Sequence, residues 1–327
     1  MDKNEIFRIV SGADNTVLSF PERGPWGSSS YRGNCSGFIP AYFIWKYGIN
    51  FVSEIFAGSG TTSDVCRDLG IPYIGIDLNP NPVRKNIRSM DILDDSMELP
   101  EEFYEADMCF LHPPYPGINM VRYSTGMWKG NADQVSRDIQ EMSYKEGMKA
   151  VNHAVMRAYN SLQPGGYEVV LVGEIRSKGE YYSMLSDLVR PTKLHQTFVK
   201  LQHNCVSNRS GNGYSKSDRA LTGHEMIAVF KKASGYEIAY VIPKEYKLDI
   251  RDSENATWSD VIHSVMWNLK DASLEEIYNE VKHSRKALRT GNNNVEAKIR
   301  QTLQRGNYNN YARGRWAAPG VRACVAV

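Results

Sequence analysis

From residue 51 to residue 232, apolar runs of strand length alternate with stretches of helical spacing, which predicts a mostly parallel sheet covered by helices. Residues 51–56 read as a first buried strand, 62–69 as a short helix stopped by Gly70 and Pro72, and 73–77 as a second strand closed by the turn Leu78-Asn79-Pro80. Residues 107–111 form a further buried run. Across 143–162, Met148, Val151, Val155, Met156 and Tyr159 recur at helical spacing until Pro164-Gly165-Gly166 ends the pattern, so these side chains belong to a core-facing helix. Residues 167–173 read as a strand, 180–189 as a helix, and 198–202 with 226–230 as an apolar pair suited to a closing hairpin. Between that pair, 204–223 is long, polar and rich in Gly, Ser and Asn, the composition of a functional or disordered loop.

The pattern changes after Lys231-Lys232, which predicts one domain over 1–235 and a second over 236–327. In the second, Trp258, Val261, Ile262, Val265 and Leu269 mark an amphipathic helix, and Ser273-Leu274-Glu275-Glu276 is a capping box that opens another. Asn294 precedes a third, with Val295, Ile299 and Leu303 on its apolar face and Lys298, Arg300, Gln301, Gln304 and Arg305 on the others. Residues 308–316, with Gly314 in the turn, suit a short hairpin. Three small helices and a hairpin make a winged helix-turn-helix pattern, in which the third helix enters a DNA major groove. A helical module for subunit contact is the plainer alternative.

Charge sharpens that choice. The 327 residues carry a formal charge of only +2, too little to argue for nucleic acid. Residues 281–327, however, hold ten basic residues against the single acid Glu296, a surplus of nine that includes Lys298, Arg300, Arg305, Arg313 and Arg315. An apolar fraction of 42% supports a sizeable core. The five cysteines show no paired spacing and no metal-ligand pattern with the seven histidines, so reduced thiols and no metal are expected. A polar start without an apolar leader, and no run long enough to span a bilayer, lead to the expectation of a cytoplasmic protein that does not engage membranes.

Two short loops carry the chemistry. Phe56-Ala57-Gly58-Ser59-Gly60-Thr61-Thr62 follows the first strand, and Gly58 and Gly60 allow a ligand to approach the backbone where a Cβ would block it. Asp77 ends the next strand about twenty residues on, the place from which an acid bonds a ribose in Rossmann-like folds. No Gly-Lys-Ser/Thr follows, which removes a P-loop reading. The second loop is His112-Pro113-Pro114-Tyr115, at the carboxyl end of a buried strand. Its prolines fix the backbone and the Pro113 carbonyl is open to accept from an amino group. His112 adds a second acceptor through a neutral ring nitrogen, and Tyr115 offers a face for a stacked base. The structural alternative for this loop is a rigid turn. No Pro-Cys dipeptide is present, which favours direct transfer to nitrogen without a covalent intermediate.

Together these loops resemble motifs of the DNA amino-methyltransferases that act on adenine-N6 or cytosine-N4. Members carry Asp-Pro-Phe-x-Gly-x-Gly-Thr-Thr where this chain has Glu54-Ile55-Phe56-Ala57-Gly58-Ser59-Gly60-Thr61-Thr62, and Asp, Asn or Ser where it has His112. The resemblance covers residues 20–232. Residues 31–37, 181–183, 202–204 and 223–225 further resemble a phage and mobile-element branch that also carries His-Pro-Pro-Tyr. It implies a Rossmann-like S-adenosylmethionine-dependent methyltransferase fold with a small C-terminal winged-helix-like domain, S-adenosylmethionine as cofactor and double-stranded DNA as partner. Glu54 would meet the methionine end of the cofactor, Phe56, Thr61 and Thr62 would line its site, and residues 31–48 would supply the remaining wall.

Arg32 or Asn34 would reach the cofactor carboxylate, a turn role being the alternative. His203, Asn204 and Arg209 would touch the flipped base or nearby phosphates unless they are merely solvated, while His224 and Glu225 read as strand-entry structure. Adenine-N6 is favoured over cytosine-N4. A protein glutamine-N5 methyltransferase and a DNA-binding protein that has lost catalysis, with His112 as the lesion, are the alternatives, and a homodimer and a cognate restriction endonuclease stay open as partners.

Overall fold

An acidic side chain sets the first turn of the chain. Asp2 accepts from the N–H groups of Asn4 and Glu5 and so starts helix α1 (Lys3–Val10). The computed structural model describes residues 1–117, 121–177, 179–203, 220–233, 240–289 and 294–321. It divides into two units, Met1–Pro243 and Lys244–Val327.

In the first unit α1 is followed by β1 (Val17–Leu18), α2 (Phe38–Tyr47), β2 (Val52–Ile55), α3 (Thr61–Leu69), β3 (Tyr73–Asp77), β4 (Ile87–Ser89) and β5 (Met108–Leu111). Then come α4 (Ala132–Arg137), α5 (Tyr144–Ser161), β6 (Tyr167–Val172), β7 (Glu174–Ser177), β8 (Glu180–Ser183), α6 (Met184–Asp187), β9 (Leu194–Leu201) and β10 (His224–Lys231). Eight strands form one sheet in the order β1-β9-β10-β6-β5-β2-β3-β4. The run from β6 to β4 is parallel, and β10 is antiparallel to both β6 and β9. This is a Rossmann-like α/β fold. From β2 the chain moves outward to β3 and β4 and then returns to the other flank as β5 and β6, so the strand order reverses between β2 and β5. Ligands of open α/β sheets settle in the crevice at such a reversal.

Both faces of the sheet are buried. Val170 and Val172 of β6 pack with Val151, Val155 and Ala158 of α5, whereas Val169 and Leu171 pack with α2 and with Val65 and Leu69 of α3. Double burial explains why these strands read as unbroken apolar runs. It also explains why α2 gave no periodic signal: seven of its ten residues are buried, so no polar stripe interrupts Phe38-Ile39-Pro40-Ala41-Tyr42-Phe43-Ile44.

The helix expected over residues 180–189 is not formed as such. Glu180–Ser183 pairs with Glu174–Ser177 as an antiparallel hairpin, and only Met184–Asp187 is helical. Tyr181 and Tyr182 favour extended backbone, and Arg176 stacks 4.9 Å from the centre of the Tyr181 ring across the hairpin.

The second unit contains α7 (Trp258–Leu269), β11 (Asp271–Ser273), α8 (Leu274–Val281), α9 (Arg285–Arg289), α10 (Val295–Arg305), β12 (Asn309–Ala312) and β13 (Arg315–Ala317). The capping box at Ser273 is present, with Ser273 and Glu276 bonding reciprocally. The hairpin β12–β13 gains a third strand, β11, on the far side of β13. Val261, Ile262, Val265 and Met266 of α7, Ile277 and Val281 of α8, and Ile299 and Leu303 of α10 close over Trp316 as a separate core. Among the described residues no helix is long and apolar enough to cross a membrane. No group of His, Cys, Asp and Glu there is arranged to hold a metal, and Cys35, Cys66 and Cys109 are buried free thiols.

Candidate active site

Strand β2 delivers the glycine loop to the crevice at its carboxyl end. The chain turns there through three left-handed positions, Phe56 (φ 67°), Gly58 (φ 48°) and Gly60 (φ 74°). Phe56 is not a glycine, so its backbone stores strain of order 1–3 kcal/mol, a cost that clusters at functional sites. The Gly58 N–H donates to Asp77 Oδ2 at 2.8 Å, and the Asn79 N–H donates to Asp77 Oδ1 at 2.9 Å. Burial raises the Asp77 carboxyl above its ordinary range, against the pull of those two N–H groups. One side chain therefore couples the glycine loop to the end of β3.

Glu54, on β2 itself, is 4% exposed. It accepts from the Thr62 hydroxyl at 2.6 Å and from the Tyr73 hydroxyl. Burial pushes its carboxyl up to about 8 in spite of both bonds. Asp64 of α3 locks the loop from behind, accepting from the Gly27 N–H at 3.0 Å and from both ends of the Arg84 guanidinium at 2.9 and 2.8 Å.

These groups open on a concave pocket at the carboxyl end of the strands. Glu54, Phe56, Gly58, Thr61, Asp77 and Asn34 line it. Thr62 acts one layer behind, through Glu54, and Gly60 starts α3. Arg32 is exposed and does not line the cavity; its carbonyl accepts from the Tyr123 hydroxyl at 3.3 Å. Asn34 donates to the Ser28 carbonyl. Tyr31 and Tyr123, which sequence reading left without individual roles, stack at 5.6 Å and close one side.

Strand β5, adjacent to β2, ends in His112-Pro113-Pro114-Tyr115. A second cavity is lined by His112, Pro113 and Tyr115 together with Gln140, Lys200, Gln202 and Glu225. Gly33, Asn34, His112 and Tyr123 line both cavities, so the two share a wall. Tyr115 donates to Glu225 Oε1 at 2.5 Å, and Glu225 is paired through its other oxygen with Lys200. The Tyr115 ring lies against Gly173, just beyond β6, where a side chain would occupy the ring's own space.

Burial works to raise the Glu225 carboxyl, but the Lys200 and His112 charges and the bonds from Lys200 and Tyr115 hold it down at about 2. For His112, burial lowers the imidazole to about 4 against the pull of Glu225. Near neutral pH this pocket therefore contains a neutral imidazole beside an ionised carboxylate. Glu225 is thus part of the site, not only of the strand entry. The sequence signal for it was a charge directly before the apolar run Met226-Ile227-Ala228-Val229-Phe230, in step with the buried Ile227 and Val229.

Of the residues expected to meet DNA, Lys298, Arg300, Gln301 and Arg305 lie on α10, Arg313 in the turn after β12, and Arg315 on β13. Lys298 donates to Gln301 Oε1 at 3.0 Å and Arg300 to the Tyr278 hydroxyl at 2.9 Å. Arg305 and Arg313 are exposed. The basic surplus read along the chain is reduced in space: Arg285 and Arg289 both pair with Glu254, and Arg315 pairs with Asp271. Residues 244–327 as a whole carry fourteen basic and ten acidic side chains, a net +4, which leaves −2 for residues 1–243. His203 lies 3.1 Å from the Ser19 hydroxyl. Asn204 and Arg209 lie outside the described residues.

No family model matches this chain, and no curated protein matches it. Among solved structures, TTHA0409 of Thermus thermophilus, named "Putative DNA Modification Methylase" and solved with S-adenosyl-L-methionine, aligns at 18% identity with a TM-score of 0.23. That alignment spans 31% of this chain and 42% of that one. A SAM-dependent methyltransferase of Archaeoglobus fulgidus aligns at 13% identity over 58% of this chain and 90% of its own, with a TM-score of 0.32. The N-methyltransferase NodS of Bradyrhizobium japonicum aligns at 13% identity over 57% and 87%, with a TM-score of 0.31.

Proposed function

We propose that this chain binds S-adenosylmethionine in the glycine-loop cavity and transfers its methyl group to the exocyclic amino group of a base flipped from duplex DNA, adenine-N6 foremost. The observation that carries this reading is the shared wall. A cavity built on a glycine loop and a buried acid adjoins one built on His112-Pro113-Pro114-Tyr115, on neighbouring strands at the reversal of the sheet.

The residues present fit the cofactor. Asp77 keeps acceptor capacity for ribose hydroxyls beyond its two backbone bonds. The buried Glu54 carboxyl suits an ammonium group, and Asn34 supplies a polar amide at the wall between the cavities. When bound, S-adenosylmethionine supplies an electrophilic methyl group. In the second cavity His112 and the Pro113 carbonyl accept from the amino group and draw its nitrogen lone pair out of the ring plane, and Tyr115 offers its face to the base.

The second unit supports DNA as substrate by its order of elements, α7, β11, α8, α9, α10, β12 and β13. We read this order as that of a winged helix, with α10 in the recognition position.

Incubation of the full chain with duplex DNA of varied sequence and methyl-labelled cofactor, followed by nucleoside analysis, tests the reading. N6-methyladenine is expected; N4-methylcytosine would reassign the base, and label in neither nucleoside would sink the proposal. Duplex binding should also weaken with salt at a log–log slope of about −0.9 per phosphate neutralised. Arg305→Ala and Arg313→Ala are each expected to lower the slope magnitude by about one.

Glu54 makes a pH-dependent prediction. It is protonated in the free chain below about pH 8 and ionises when an ammonium group settles beside it, so binding releases a proton. Cofactor affinity should therefore rise by about tenfold per pH unit toward pH 8 and fall again as the cofactor's own α-amino group loses its proton, near pH 8. Calorimetry in buffers of different ionisation enthalpy measures the released proton directly. An affinity flat from pH 6 to pH 8 would contradict the assignment.

A further inference from the structure

A histidine can offer an amino group only one lone pair, so which ring nitrogen bears the proton decides whether His112 is useful. Its surroundings settle that choice. Nε2 faces two oxygens, the Tyr115 hydroxyl at 3.4 Å and Glu225 Oε1 at 3.9 Å. Neither has a proton to offer. The hydroxyl commits its single hydrogen to Glu225 Oε1 at 2.5 Å, and Glu225 is the carboxylate partner of the Lys200 ammonium through Oε2.

A bare lone pair on Nε2 would lie against two electron-rich oxygens, whereas an N–H there points its positive end at both. The contact to Tyr115 is long for a hydrogen bond, but the sign of the preference does not depend on its being a strong one.

The fold builds this arrangement into strand register. Lys200 of β9 and Glu225 of β10 are direct cross-strand partners, which places their side chains on the same face of the sheet. The next residue on β10, Met226, pairs with Val172 of β6, and Gly173 follows Val172 and gives the Tyr115 ring its space. His112 comes from β5, on the other side of β6. The ends of β5, β9 and β10 thus supply His112, Lys200 and Glu225 to one cluster, and Gly173 beyond β6 leaves room for the Tyr115 ring.

We infer that Lys200, Glu225 and Tyr115 form a positioning relay that holds neutral His112 with its proton on Nε2, leaving Nδ1 as the acceptor for the amino group of the substrate base. The role given to Nδ1 rests on the proposed methyl transfer; the tautomer itself does not. Tyr115 then acts twice, through its ring toward the base and through its hydroxyl toward His112. Glu225 and Lys200 are positioning residues. The relay also explains how a histidine can stand where the resembling family has Asp, Asn or Ser: its single lone pair is committed to one direction by Tyr115 of its own loop and by Glu225 and Lys200 on two other strands.

The test uses the full chain labelled with ¹⁵N-histidine, without DNA or cofactor, so that it reads the ring independently of any activity. Long-range ¹H–¹⁵N correlation distinguishes the two neutral tautomers, and loss of one ring signal in His112→Asn assigns it. The expected result at pH 7 is a neutral His112 ring protonated on Nε2. A ring protonated on Nδ1, or a cationic ring, would overturn the inference.

The double variant Lys200→Met/Glu225→Leu removes both charges of the pair together and takes away the acceptor of the Tyr115 hydroxyl. It frees the Tyr115 hydroxyl to donate to His112, so His112 is expected to become a mixture of tautomers. Single-turnover transfer should fall by about tenfold, with KM for DNA little changed. A double variant that keeps the Nε2–H form in full would overturn the relay. If it fails to fold, the wild-type spectrum still decides the tautomer and hence the inference. Failure of methyl transfer with the expected spectrum would count against the proposed function and not against the ring assignment.

Discussion

His112→Ala is expected to lower single-turnover methyl transfer by about 10²-fold or more, the loss typical of a reacting nitrogen no longer held in line. Duplex affinity should stay close to wild type, because His112 faces the interior of the acceptor pocket and the basic surface of residues 244–327 is untouched. His112→Asn retains a carbonyl acceptor and should recover much of the rate. His112→Asp, although it restores the commoner motif, should do worse than Asn. It would bring a second carboxylate beside Glu225, whose Oε1 is 3.9 Å from the present ring nitrogen, and two carboxylates that close do not both stay ionised. Rapid-quench transfer assays on the three variants, with thermal midpoints to check folding, measure the series. An alanine variant within threefold of wild type would remove His112 from the chemistry, and an Asp variant faster than wild type would identify the histidine as a lesion.

The second large effect is expected at Asp77. Its carboxylate holds Gly58 and Asn79 through separate oxygens, so removing it is expected to loosen the glycine loop as well as the proposed ribose contact. Asp77→Asn keeps the shape, loses the charge and should weaken S-adenosylmethionine binding by about tenfold. Asp77→Ala should weaken it by about 10²-fold, as expected for losing charge-assisted bonds worth about 1.5–3 kcal/mol. Calorimetric titration of cofactor into each variant is the measurement, with duplex binding as the internal control. Wild-type cofactor affinity in Asp77→Ala would move the methyl-donor site elsewhere.

The parts of this architecture that sequence reveals are those governed by local rules. The strand Tyr73–Asp77 was legible to the residue because an apolar run ends at a turn sequence, and α5 because Ser143 caps it and its apolar spacing is regular. What escaped depends on partners distant in sequence. Helix α2 is apolar on every side because it is covered on every side, and a uniform run carries no period. Residues 180–189 look helical until Glu174–Ser177 is available as a strand partner. Strand β11 is three residues long and exists only because β13 lies beside it.

The candidate site divides in the same way. The two loops announced themselves by composition, whereas Glu225 and Lys200 became site residues only through the register of β9 with β10 and the reach of Tyr115. The charge of the second unit makes the same point. A count along residues 281–327 finds one acid, yet Glu254 and Asp271, earlier in the chain, pair with Arg285, Arg289 and Arg315 and offset two of those three charges in space.

The wall common to the two cavities gives them a means of thermodynamic coupling. Asn34 and Tyr123 touch both spaces, and the Tyr123 hydroxyl is tied to the backbone of Arg32, so whatever orders this partition for one occupant orders it for the other. By linkage, the factor by which a first occupant tightens the second must equal the factor by which the second tightens the first. The proposed donor and acceptor are therefore expected to be cooperative, each with an affinity that depends on the occupancy of the neighbouring chamber.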